Sequence, residues 1–95
     1  MDLSTYQVEA QNTAAPHEDP RLRMAIAGMG LAGEAAEVLE LLQERGAWSH
    51  DKVIKEVGDV LWYCAEVSTL VGFDLGKLSI PSLYPGEDGA TELAV

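Results

Sequence analysis

The sequence predicts an all-α chain: two long antiparallel helices and a shorter N-terminal helix, which complete a helical bundle by homo-oligomerisation. Three observations predict it. Helix-start residues recur ahead of apolar runs, at Ser4, at Asp19-Pro20 and at Ser49. The apolar residues that follow them repeat with a helical rather than an alternating period. A chain of 95 residues with 47% hydrophobic content fits one small domain and buries only a modest core by itself, so self-association into a homodimer or homotetramer is expected.

Ser4-Thr5-Tyr6-Gln7 has the form of a capping box, and the spacing predicts a first helix running to about Ala15. Pro16 and Pro20 bracket a short turn. Asp19 then serves as N-cap with Pro20 in the first helical position, opening a long second helix that Gly46 closes. Ser49 caps a third helix that ends near Gly72. Gly28, Gly30 and Gly33 weaken the second helix by about 1 kcal/mol each relative to Ala. No strand precedes them and no Lys-Ser/Thr follows, so they read as sites of close helix packing rather than as a phosphate loop. Asp74 can cap a single turn through Leu78. Beyond it, Pro81, Pro85, Gly86 and Gly89 interrupt any longer element, leaving a helical domain over 1–78 and an irregular tail over 79–95, where Leu83 and Tyr84 are candidates for packing on a partner subunit.

Sixteen acidic against six basic residues give a formal net charge of -10. Such a surface does not neutralise a nucleic-acid backbone or an anionic membrane, and a phosphate ligand must arrive with metal ions or meet a local group of cations. The segment MDLSTYQVEA lacks the basic start and apolar core of a signal peptide, and no apolar run approaches the roughly 18 residues needed to span a bilayer, so a cytoplasmic location is expected. Cys64, the single cysteine, has no partner for an internal disulfide and reads as a buried core thiol.

Four carboxylates carry the chemistry. Glu34 with Glu37, and Glu56 with Asp59, are spaced i, i+3 on predicted helices, which puts each pair on one face. At ~100° per residue, Leu31, Ala35, Val38, Leu41 and Leu42 form one apolar arc with Glu34 inside it and Glu37 at its edge. On the third helix Val53, Val57, Val60, Cys64, Val67 and Val71 define a stripe expected to be buried, with Glu56 at its margin and Asp59 further round. One such pair is common on a solvated helix face. Two pairs leaning toward apolar stripes on neighbouring antiparallel helices point to a shared site, because carboxylates near a core must be paired, protonated or metal-bound. An all-oxygen set suits Mg²⁺ or Mn²⁺, whereas a di-iron bundle wants Glu-x-x-His, which neither motif supplies. His17 and His50 fall in predicted turns, in surface or capping roles.

The stretch from Gly30 to Val38, GLAGEAAEV, followed by Lys55 to Tyr63, KEVGDVLWY, resembles the MazG-like nucleoside triphosphate pyrophosphohydrolases, an all-α family marked by ExxE and a later ExxD. The resemblance spans roughly Thr5 to Asp74, with Tyr6, Ala10 and Thr13 similar to the opening helix of short single-domain members. It implies metal-dependent hydrolysis of a nucleoside triphosphate, ribo or deoxy, to the monophosphate and pyrophosphate, in a house-cleaning role on the nucleotide pool. It matches Glu34, Glu37, Glu56 and Asp59 to the family's metal-binding acids. Glu37 is the candidate for deprotonating the attacking water, the wheel leaving that choice among the acids open.

For substrate contacts, Lys52 and Lys55 lie one turn apart, and Lys52, projecting on the Asp59 side, is the better phosphate candidate; either lysine can instead be a solvated charge paired with Glu56 or Asp59. Tyr63, Trp62 and Trp48 can each stack on a base or serve core, subunit or turn packing. Short members of the family continue with a fourth helix carrying an Asn and a Lys/Arg pattern. Residues 74–95 contain no Asn and only Lys77, leaving Arg21, Arg23 or Lys52 to compensate. Two other classes of function therefore stand beside the enzyme: a non-catalytic metal-binding helical interaction module, and a redox-active dinuclear carboxylate bundle.

Overall fold

A computed structural model describes residues 1–14, 19–44 and 49–78. Among these residues are three helices and one 3₁₀ turn, in the order α1 (Leu3–Gln11), α2 (Pro20–Gln43), α3 (His50–Leu70) and the turn Leu75–Lys77. Among the described residues there is no strand, and no helix is long and apolar enough to cross a membrane.

The start of α1 differs from the capping box expected at Ser4. Asp2 is the N-cap, its carboxylate accepting from the Thr5 N–H at 2.8 Å. An ionised side chain at the positive end of the helix suits that position, and its hydrogen bonds with Thr5 hold its carboxyl below the usual range. Ser4 and Gln7 are thereby released for tertiary work. The Ser4 hydroxyl donates to Asp74 Oδ1 at 2.7 Å. Gln7, buried, donates from Nε2 to the Phe73 carbonyl at 2.7 Å and to Thr69 Oγ1 at 3.2 Å, while its Oε1 accepts from the Leu75 N–H at 2.6 Å. The helix closes at Gln11 rather than near Ala15, and turn hydrogen bonds continue to Ala14.

The start of α2 is as expected: Pro20 takes the first helical position and the Asp19 carboxylate accepts from the Arg21 and Leu22 N–H groups at 3.0 and 3.4 Å. Ser49 caps α3, accepting from the Lys52 N–H at 3.5 Å, so His50 is the first helical residue and not part of a turn. The chain leaves α3 through Gly72 at φ +76°, a left-handed conformation that glycine adopts without a Cβ clash. Asp74 then caps the 3₁₀ turn, accepting from the Gly76 N–H at 2.9 Å. Gly46, expected to close α2, lies outside the described residues, as do His17, Trp48, Leu83 and Tyr84.

α3 is the central element. α1 packs on α3 and on the 3₁₀ turn, and α2 packs on α3. Ala10, Ala65 and Leu75 form the buried centre of the first contact, flanked by Tyr6, Leu61 and Trp62. The Trp62 indole N–H reaches Thr13 Oγ1 at 2.9 Å, tying the turn after α1 to α3. The second contact is a seam in which residues early in α2 meet residues late in α3. Arg23 pairs with Glu66 at 2.8 Å, and Gly30 lies against the ring of Tyr63. A Cβ at Gly30 would collide with that ring, so this glycine does permit close packing; Gly28 and Gly33 face open space and do not.

The valine stripe of α3 is not its buried face. Val57 and Val71 are 51% and 60% exposed, Cys64 is half-buried rather than a core thiol, and the buried residues of the helix are Ala65 and Glu66. A helix packed on two sides buries two faces. On α3 these are Leu61, Trp62, Ala65 and Thr69 toward α1, and Glu56, Asp59, Tyr63 and Glu66 toward α2. The stripe lies about a third of a turn from either.

Candidate metal centre

On α2, Arg23, Ala27, Gly30 and Glu34 fall on one side of the helix at three- and four-residue steps, and this is the side that meets α3. Glu34 therefore projects into the seam and is half-buried, while Glu37, a further turn along, is exposed at its rim. From α3, Glu56 and Asp59 point at the same spot, with side chains 17% and 38% exposed. Glu34, Glu56 and Asp59 each offer an oxygen within 4.8 Å of the other two. Glu37 is not a member of that three-oxygen group but comes within hydrogen-bonding reach of Glu56 and Glu34.

Negative charge at this density perturbs the acids. Burial, contact with Glu56 and the Asp59 charge push the Glu34 carboxyl up. Its hydrogen bond with Glu56 and the charges of Glu34 and Glu56 push Glu37 up to about 7. Two oxygens, Glu34 Oε2 and Glu56 Oε2, are buried without a hydrogen-bond partner. A carboxylate oxygen in that state is costly unless a proton or a cation serves it. The donor set fits a hard divalent cation: all oxygen, drawn from two helices, with unserved lone pairs turned inward.

Of the two lysines of α3, Lys55 makes the carboxylate contact expected of either. Lys55 Nζ lies 2.9 Å from Asp59 Oδ2 and 3.5 Å from Glu56 Oε1, because the i, i+4 step places it beside Asp59. Lys52, the better candidate by its direction on the wheel, is two helical turns from Asp59 and exposed. Of the other compensating cations, Arg23 is held by the buried Glu66, with Nε and Nη2 both on Glu66 Oε1 at 2.9 and 2.8 Å, and Arg21 is exposed. Tyr63 is wedged over Gly30, one turn before Glu34, and meets Trp62 edge to face at 5.0 Å. Trp48 lies outside the described residues. The Arg23–Glu66 pair was legible only as a pair of opposite charges far apart in sequence, and nothing in the local pattern singles it out.

Fold and site together define the class of protein: among its described residues every element is helical, with a carboxylate cluster spanning two helices. Comparison with known families, curated proteins and solved structures finds no match to this chain.

Proposed function

We propose that this protein is a metal-dependent nucleoside triphosphate pyrophosphohydrolase, similar to the MazG-like family, releasing monophosphate and pyrophosphate from ribo- or deoxynucleoside triphosphates. The observation that supports it best is the meeting of Glu34, Glu56 and Asp59 within 4.8 Å, with the buried Glu34 Oε2 and Glu56 Oε2 lacking partners. These three hold the ion, Mg²⁺ or Mn²⁺, with Glu37 as fourth ligand or as base. Bound there, the ion supplies charge neutralisation on phosphate oxygens and a more acidic water. Glu37, at the rim of the cluster and within hydrogen-bonding reach of Glu34 and Glu56, is the candidate to take the proton from the water that attacks the α-phosphorus as the bond to the pyrophosphate oxygen breaks. Lys52 and Lys55 are the lysines of α3 for the substrate phosphates, and Trp48 and Tyr63 the candidate rings for the base. In this reading α2 and α3 run antiparallel, which the contacts of Arg23 with Glu66 and of Glu34 with Glu56 support, and self-association through the exposed apolar faces completes the bundle.

The test is product analysis with a panel of canonical and modified nucleoside triphosphates, with Mg²⁺, with Mn²⁺ and with chelator. Metal-dependent monophosphate and pyrophosphate are expected. Glu56→Gln and Asp59→Asn, checked for folding by circular dichroism, are each expected to lower the rate by roughly 100-fold. Undiminished rates in both folded variants would remove the assigned roles. One observation favours a second reading, a non-catalytic metal-binding interaction module: Lys55 and Arg23 are both engaged by carboxylates, leaving few cations for a triphosphate. That module predicts metal uptake with no cleavage.

A further inference from the structure

Lys55 is the one described cation in contact with the carboxylate cluster, touching two of its members, Asp59 and Glu56. Its side chain is 70% exposed, so its ammonium can leave without unpacking anything. It also serves the cluster incompletely, since Glu34 Oε2 and Glu56 Oε2 remain buried and unpartnered while it is in place. The i, i+4 spacing brings Lys55 within reach of Asp59 as soon as α3 forms, before any ligand arrives.

We propose that Lys55 is the resident counter-cation of the cluster, displaced when a divalent cation binds, so that this lysine sets the metal affinity of the site. The inference rests on the metal-binding reading given above. A dication and an ammonium cannot share Asp59 and Glu56 without strong mutual repulsion, and the lysine, held at the surface by a flexible stem, is the partner that yields. The released ammonium is then the cation available to an incoming triphosphate.

Calorimetric titration of the full chain with Mn²⁺ tests this, comparing wild type with Lys55→Met and with Lys52→Met. Lys55→Met is expected to bind Mn²⁺ roughly three- to tenfold more tightly, the gain from removing a competitor on two carboxylates. Lys52→Met removes the same charge one turn away without touching the cluster and is expected to change affinity by less than about twofold. Equal or weaker binding by Lys55→Met overturns the proposal, and so does an equal gain in Lys52→Met, which would mean general electrostatics. Absence of Mn²⁺ binding in all three chains overturns the metal reading itself, whereas binding by wild type with no gain in Lys55→Met overturns only the role of the lysine.

Discussion

Glu37 is the residue through which the cluster communicates with solvent pH. Its carboxyl titrates at about 7 against an ordinary 4.5, and that of Glu34 is also raised, so the folded chain holds protons that the unfolded chain has released. The stability this confers is fully present below pH 4.5 and is lost as pH rises through about 7. The metal-free protein is therefore expected to lose Tm between about pH 5 and about pH 8, with Glu37→Gln flattening the profile and Mg²⁺ or Mn²⁺ restoring the upper end by doing the proton's work. Identical profiles for wild type and Glu37→Gln would remove this role. The placement of Glu34 inside the seam and of Glu37 at its rim was legible from the wheel alone, because helical geometry fixes direction once the face is known. The pairing of a lysine with Glu56 or Asp59 was legible too, but not which lysine: the i, i+4 distance brings Lys55, and not Lys52, into contact.

At the scale of elements, the α2–α3 seam rests on a few close approaches. Gly30→Ala is expected to destabilise the protein by about 1–3 kcal/mol, since the new methyl must displace the Tyr63 ring. Gly33→Ala, three residues on and facing open space, is expected to be neutral or to stabilise by up to about 1 kcal/mol through helix propensity. Thermal melts of the two variants check the contrast, and a stabilised Gly30→Ala would show that α2 and α3 do not approach as described. The helices themselves were legible because Asp19, Ser49 and Asp74 each act where a cap must act. The first cap was misassigned to Ser4 because Asp2, two residues earlier, competes for the same helix and leaves Ser4 and Gln7 to bind residues about seventy positions away, a pairing no local pattern reveals.

For the molecule as a whole, the buried apolar residues among those described are three alanines and one leucine, Ala10, Ala27, Ala65 and Leu75. Ile26, Met29, Leu39 and Leu42 of α2, Ile54 and Val57 of α3 and Val71 at its end are all more than half exposed, a set of large apolar side chains open to a second copy of the chain. Sedimentation is expected to give a dimer or tetramer, with a Tm that rises with protein concentration. A monomer with a concentration-independent Tm would count against self-association. The valine stripe was legible as an apolar surface but not as an outward one, because a wheel identifies faces without saying how many neighbours a helix has. Gln7, finally, has a bearing on how the chain comes to be folded during its own synthesis. α1 has nine residues, too few to hold a helix alone in water, and its side-chain anchors are at Thr69, Phe73, Asp74 and Leu75. α1 thus leaves the ribosome ahead of α2 and α3 yet settles after them, waiting until α3 and the turn after it have emerged, while α2 and α3 can already pair behind it.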